Sequence, residues 1–199
     1  ILYAVFIIFL DKTANSRTAE AIIAMLIVIH LLSIIMQRNW FHKMMVLFTS
    51  GAFLLCVGIP FIGSYLYIHK PELFLQHDGT MLSRIQLTTT FYLRNGGFGF
   101  YGFPIEDQDC LDMMFSYIGL HWGTAAFIII SAAIIYAIYK ASREQHTSFL
   151  ILLFFFLVYG WAEVAPIYPV YSYLSLLLGY YIMNRKPFYC KRPYTCANF

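Results

Sequence analysis

The chain has 199 residues, of which 60% are hydrophobic and 12% are charged, and its formal net charge is +3. Soluble domains carry about 25% charged residues, so this chain has too little polar surface for a soluble globular protein of its length. Its charged residues are grouped between long apolar runs. This pattern predicts an all-α fold, a polytopic transmembrane helical bundle, because one helix needs roughly 18 or more apolar residues to cross the bilayer.

The apolar runs, in chain order, cover residues 1–10, 21–36, 44–68, 113–139, 148–162 and a sixth run that ends at residue 183. Residues 1–10 are too short to span a membrane, and they lack the basic segment and cleavage site of a signal peptide. We interpret them as the end of a helix that begins in a longer protein, and we treat residues 1–199 as a single transmembrane domain. Gly58, Pro60 and Gly63 predict a kink in the third run.

A long polar stretch at residues 69–111 predicts one large loop outside the bilayer. Within it, residues 80–93 have the apolar spacing of a short amphipathic helix. A turn rich in glycine and aromatic residues follows at 95–102, and acidic residues then precede the fourth apolar run. We expect this loop to carry polar groups that act at the membrane surface.

The distribution of basic residues predicts the orientation through the positive-inside rule. One face collects Arg38, Lys43, Lys140, Arg143, Arg185, Lys186, Lys191 and Arg192. The opposite face carries the loop at 69–111 and nearly all of the acidic residues. We therefore expect a multi-pass protein of the cell membrane with a cytoplasmic C-terminus. Anionic lipids account for the basic tail, so no nucleic-acid partner is expected.

Three arginines, Arg17, Arg84 and Arg94, lie on the outer face, where the positive-inside rule gives no reason for them. Arginine is suited to bidentate binding of phosphate or carboxylate, so all three are candidates for binding an anionic ligand. The alternative is that each extends to lipid headgroups or pairs with a nearby acid. Arg17 opens a helix directly after a polar turn, which favours the binding interpretation for the set.

Three carboxylates and one histidine are candidates for chemistry on the same face. Asp107 and Asp109 precede the fourth run, where they either cap a helix or act as a general base or as an anchor for sugar hydroxyls. Glu163 interrupts apolar sequence, where an ionisable residue is costly and often functional, but it could equally lie in the interface. His121 is either a hydrogen-bonded packing residue or a catalytic one. No spacing typical of a metal site is present.

Four segments carry a resemblance to a known family. They are TANSR at 13–17, LSRI at 82–85 followed by the glycine-rich turn, DQD at 107–109 leading into a helix, and YGWAE at 159–163. Their order and outward placement resemble the C-terminal half of bacterial polysaccharide repeat-unit polymerases, the O-antigen, capsular and exopolysaccharide polymerases. The resemblance covers most of residues 11–183. The chain departs from the family pattern in lacking an Asn after Asp109 and a Gly before Ser83.

The resemblance implies polymerisation of undecaprenyl-pyrophosphate-linked oligosaccharide repeat units on the outer face of the cytoplasmic membrane, without a metal or other cofactor. An acceptor sugar hydroxyl would attack the anomeric carbon of the growing chain, and the lipid pyrophosphate would leave. Arg17, with Arg84 or Arg94, would neutralise that leaving group, and Asp109 or Glu163 would orient or deprotonate the hydroxyl. The external loop would close over the sugars. A flippase and a chain-length regulator are the protein partners that such an enzyme would have.

Two other functions are left open by the sequence. An O-antigen ligase-type transferase uses the same donor with a different acceptor, and His121 would matter more in that case. A transporter or a structural membrane subunit would not be an enzyme at all. Transporters place broken helices and polar sites near the bilayer midplane, whereas the break at residues 58–60 has no charged residue beside it.

Overall fold

The computed structural model describes residues 17–74, 80–105, 111, 113–162, 178–179 and 181–183. Within these ranges 84% of the residues are helical and none lies in a β-strand. The helices are α1 (Arg17–Ile35), α2 (Arg38–His69), α3 (Thr80–Arg94), α4 (Met114–Tyr117), α5 (Thr124–Glu144) and α6 (Thr147–Ala162), with a 3₁₀ turn at Pro71–Leu73 and a π-helical turn at Ile118–Trp122. The all-α prediction is confirmed for this part of the chain.

The helices α2 and α5 are long and apolar enough, by length and composition, to cross a membrane, while the apolar part of α6 is shorter. α2 packs mainly against α6. Thr49 Oγ1 on α2 donates a hydrogen bond to the carbonyl oxygen of Leu150 at 3.2 Å. Farther along, Cys56 Sγ donates to the carbonyl oxygen of Leu157 at 2.9 Å. Because Leu150 and Leu157 are fully buried, these contacts place α6 inside the helical core.

At one end of the bundle, the start of α2 meets the turn between α5 and α6. The buried His42 places Nδ1 at 2.9 Å from Thr147 Oγ1 and Nε2 at 3.2 Å from the carbonyl oxygen of Ser142. Nearby, Lys140 Nζ donates to the carbonyl oxygen of Tyr181 at 2.8 Å. These contacts fix the start of α2, and the other end of the same helix packs against α3.

The start of α2 differs from the sequence prediction. The sequence between the second and third apolar runs, residues 37–43, is basic and indicates a turn, but residues 38–43 form the first turns of α2, so that only Met36 and Gln37 separate it from α1. The segment is helical because Phe41 and His42 are buried against the bundle. The helix also continues through Pro60 as a single element.

The fourth apolar run also differs from its prediction as one helix. It is divided into α4, the π-helical turn and α5, with Gly123 between the last two. Gly123 has φ +93°, a conformation that residues with a Cβ adopt only under strain. A periodic pattern of apolar residues does not reveal such a break. His121 consequently lies just before the start of α5 and not within it.

The seam between α2 and α3 provides a test of this packing. A Cβ built on Gly63 would lie 2.8 Å from Ile85 Cδ1 and 3.1 Å from both of its Cγ atoms. Since a β-branched side chain has few alternative rotamers, Gly63→Ala is expected to destabilise the protein by about 1–3 kcal/mol. Thermal unfolding in detergent measures the loss. Gly51→Ala on the same helix is the control, because its Cβ meets nothing within 4 Å, and it should be neutral or stabilising by up to ~1 kcal/mol. Equal behaviour of the two variants would contradict the close approach.

Candidate functional site

The amphipathic helix α3 covers the last third of α2. Its buried positions include Ile85, Thr89 and Phe91, whereas Gln86 and Thr90 are exposed. Ile85 contacts the helix surface at Gly63 of α2. The predicted amphipathic segment therefore exists, and its buried face packs on protein.

The glycine-rich turn after α3 is hydrogen-bonded to the start of α5. The carbonyl oxygen of Gly99 accepts from the backbone N–H of Thr124 (3.0 Å) and from its hydroxyl (3.2 Å). The carbonyl oxygen of Phe100 accepts from the N–H of Ala125 at 3.4 Å. The first N–H groups of a helix have no partners inside that helix. The turn therefore supplies hydrogen-bond acceptors for the backbone N–H groups at the start of α5, which has no side-chain cap at Gly123.

A second set of contacts holds the turn against the π-helical segment, which here means Ile118–Trp122. The N–H of Phe103 donates to the carbonyl oxygen of Leu120 at 2.9 Å. His121 Nδ1 lies 2.8 Å from the carbonyl oxygen of Phe103, and its ring packs edge-on against Tyr117 at 4.8 Å between centroids. A carbonyl can only accept, so Nδ1 carries the proton, and in the neutral ring Nε2 is the acceptor nitrogen.

These elements line a partly open cavity of about 150 Å³. It lies between the end of α2, one face of α3, the glycine-rich turn, and α4 with the π-helical segment that follows it. The residues that line it are Pro60, Phe61, Ser64, Tyr65, Ile68, Thr88, Tyr92, Phe98, Ser116 and Leu120. Phe98 packs against aromatic rings of both α2 and α3, because its ring centroid lies 5.3 Å from that of Phe61 and 5.1 Å from that of Tyr92. The lining combines aromatic rings with hydroxyl groups and contains no charged side chain.

Two hydroxyls in the wall of this cavity lack partners among the described residues. Thr88 is 5% exposed and Ser116 is 2% exposed, and neither Thr88 Oγ1 nor Ser116 Oγ makes a hydrogen bond there. A buried polar group without a partner costs about 1–3 kcal/mol. The next two residues of α3 behave differently, since Thr89 and Thr90 donate to the carbonyl oxygens four residues earlier at 2.7 Å and 2.9 Å. Thr88 is therefore an exception within its own helix.

Two of the arginines named by the sequence lie on α3, which lines this cavity: Arg94 follows the lining residue Tyr92 by two residues, and the other is Arg84. It precedes Thr88 by four residues and so lies on the same side of α3, one turn away. Arg94 lies at the far end of that helix, where its guanidinium group is 5.2 Å from the centre of the Phe91 ring. Arg17 is the first residue of α1. Asp107, Asp109 and Glu163 lie outside the described residues, as do residues 1–16 and 184–199.

The sequence did not single out the cavity itself. Ser64 lies in an apolar run and Ser116 at the start of another, where small hydroxyl residues carry little signal. Thr88 lies on the buried side of the amphipathic helix α3, but the adjacent Thr89 is buried as well, so the spacing does not distinguish the two. Among the residues that the structure describes, no three His, Cys, Asp or Glu side chains are grouped to hold a metal ion.

The chain matches no protein-family model, no curated protein and no solved structure at a significant level.

Proposed function

We propose that this chain belongs to a membrane glycosyltransferase that polymerises undecaprenyl-pyrophosphate-linked oligosaccharide repeat units on the outer face of the cytoplasmic membrane. The observation that carries the proposal is a neutral cavity lined by aromatic rings and hydroxyls, with an arginine one helical turn away. Sugars present apolar faces and hydroxyl groups, and the donor's leaving group is a pyrophosphate. The aromatic and hydroxyl lining of the cavity suits a sugar, and the arginine suits the pyrophosphate.

The surface of the bundle supports a multi-pass membrane location. In α2 and α5, only 33% and 22% of the most apolar stretch is buried inside the protein. Large apolar side chains such as Leu47, Leu54 and Ile129 are exposed. A core helix of a soluble protein would bury most of this surface, because exposing it to water costs about 25 cal/mol per Å². Lipid is the environment that removes this cost for exposed apolar helices.

The proposed orientation puts the cavity at the outer membrane surface. α2 begins at the basic residue Arg38, and α5 ends beside Lys140 and Arg143, which supports the proposal that this end of the bundle faces the cytoplasm. A helix of 32 residues is about 48 Å long, which exceeds the ~30 Å hydrocarbon core. The last third of α2, which lines the cavity, would then reach the headgroup region. The same rule would place the C-terminus in the cytoplasm.

The proposed reaction uses this arrangement in one displacement. An acceptor sugar hydroxyl attacks the anomeric carbon of the lipid-linked chain as the bond from that carbon to the pyrophosphate oxygen breaks. Arg84, with Arg17, stabilises the negative charge that develops on the leaving pyrophosphate. Asp109 or Glu163 accepts the proton of the attacking hydroxyl. The apolar lining excludes water, which would otherwise compete as the acceptor.

The experiment that tests this function is complementation of a deletion strain with the full-length gene. We expect the deletion to leave surface glycans of single repeat units, and wild-type protein to restore long chains. Arg17→Ala should fail to restore them, because the leaving group loses its partner. Arg38→Ala is the matched control, since it also replaces the first residue of a helix but at the opposite end of the bundle. If the deletion strain still makes long, normally attached polymer, the polymerase proposal is wrong.

A further inference from the structure

Two adjacent aromatic side chains of the glycine-rich turn are exposed. Phe100 is 64% exposed and Tyr101 is 86% exposed, and their rings pack edge to face with centroids 4.8 Å apart. The main-chain bonds between the turn and the start of α5 hold both residues in place. Leaving such a large apolar surface in water costs about 25 cal/mol per Å². The exposed pair therefore indicates a surface that a partner covers.

This aromatic pair lies at the start of an exposed apolar face of α5. The carbonyl oxygen of Phe100 accepts from the N–H of Ala125, and one turn farther along the same side of the helix Ile128 and Ile129 are 60% and 67% exposed. The exposed residues of this face are Ile128, Ile129, Ala132, Ile135, Tyr136 and Tyr139. The turn and α5 therefore share one continuous exposed apolar surface.

The length and the ends of this surface favour a lipid bilayer as the partner. From Ala125 to Tyr139 the helix rises about 21 Å, and the aromatic side chains at both ends extend the apolar face toward the ~30 Å of the hydrocarbon core. At the far end, Arg143 Nη1 donates to the Tyr139 hydroxyl at 3.0 Å. Aromatic residues at both membrane–water interfaces, with basic residues on the cytoplasmic side, are typical of membrane proteins. A protein partner would not require aromatic groups at this separation.

We propose that Phe100 and Tyr101 contact the outer leaflet of the bilayer at the boundary between headgroups and acyl chains. The rings would contact acyl chains, while the Tyr101 hydroxyl would reach the headgroups. Since Phe98 of the same turn lines the cavity, this contact sets the depth of the cavity at the membrane surface. A turn held by both α5 and lipid stays in place, so residues 95–102 are not the part of the external loop that closes over a substrate. The inference rests on the proposed membrane location and orientation and not on the polymerase reaction.

The test measures the depth of single labelled positions in the full-length protein. Tyr101→Cys, in a variant whose other cysteines are replaced, carries an environment-sensitive fluorophore in nanodiscs of phosphatidylethanolamine and phosphatidylglycerol. Quenching by lipids with nitroxides at known depths should place this label about 15 Å from the bilayer centre, at the edge of the hydrocarbon core. A label at Ile129→Cys should lie roughly 6 Å deeper, because it is four residues farther along α5. Thermal unfolding should be unchanged, since main-chain bonds hold the turn.

Gln86→Cys is the aqueous control, because Gln86 is exposed on α3, and its label should be quenched mainly by iodide in solution. If iodide quenches the label at position 101 as strongly, the turn projects into water and the inference is wrong. If neither iodide nor lipid quenches it, a second copy or another helix covers the surface, which also overturns the inference. Both results leave the polymerase reaction standing, since glycan chain length in the complemented deletion strain decides that separately. If the Ile129→Cys label is not quenched from lipid either, α5 does not face the bilayer, and the inference fails with that placement.

Discussion

Under the proposed polymerase function, replacing Arg84 with alanine is expected to abolish long polysaccharide chains while leaving the protein folded. Loss of one preorganised charge that stabilises a leaving group typically lowers a rate by about 100-fold or more, enough to leave single repeat units as the main product. Arg84→Lys keeps the charge but loses the planar, bidentate geometry, so partial chain growth is expected. Glycan ladders from complemented deletion strains, normalised to membrane protein level, measure the effect.

Arg94→Ala provides the comparison within the same helix. Arg94 lies ten residues farther along α3 and packs over the Phe91 ring, so its replacement should shorten chains less than Arg84→Ala does. A protein with Arg84→Ala that builds wild-type chains would remove this residue from the mechanism. Equal loss in both variants, at normal protein level, would indicate that the pyrophosphate is bound along the whole of α3 and not beside the cavity.

Gly102→Ala is expected to detach the glycine-rich turn and to destabilise the protein by roughly 3 kcal/mol or more. A Cβ at this position would overlap the backbone carbonyl of His121 and lie 2.7 Å from the backbone nitrogen of Gly123. Neither group can move as the end of a flexible side chain could. The residue also has φ +75°, which costs an L-residue about 1–2 kcal/mol. The turn must therefore move, and its hydrogen bonds to α5 are lost.

Gly96→Ala separates the clash from the backbone strain. Gly96 has nearly the same φ, +71°, but a Cβ there meets nothing within 4 Å. Its substitution should therefore cost only the ~1 kcal/mol of left-handed strain. Thermal unfolding in detergent and the rate of proteolytic cleavage within residues 95–103 measure both variants. If Gly102→Ala is as stable and as resistant as Gly96→Ala, the turn is not docked on α5 in the way described.

Much of the helical framework could be predicted because it depends on local patterns. The long apolar runs gave α2 and α5, and apolar spacing gave α3 at 80–93, where the structure has Thr80–Arg94. The break before α5 could not be predicted in the same way. It requires Gly123 at positive φ with the distant residues Gly99 and Phe100 supplying carbonyl groups. Such long-range backbone contacts leave no periodic trace in a sequence.

The candidate site was only partly accessible from the sequence for a similar reason. Arg84 became a candidate because the positive-inside rule gives no reason for an arginine on the predicted outer face. Thr88 and Ser116 belong to residue types that occur in most helices without special meaning. Only the folded bundle brings the two residues, from α3 and α4, to the lining of one cavity. Their missing hydrogen-bond partners are a property of the packed bundle and not of either segment.

The hydrogen bonds that hold the glycine-rich turn have a consequence for how this region can vary. Its bonds to α5 and to the π-helical segment use main-chain carbonyl and N–H groups at Gly99, Phe100 and Phe103. Main-chain bonds do not depend on which side chain a residue carries. Exposed positions such as Tyr101 can therefore accept many replacements while the docking persists. The turn therefore combines a fixed position with freedom to vary the side chains on its outward surface.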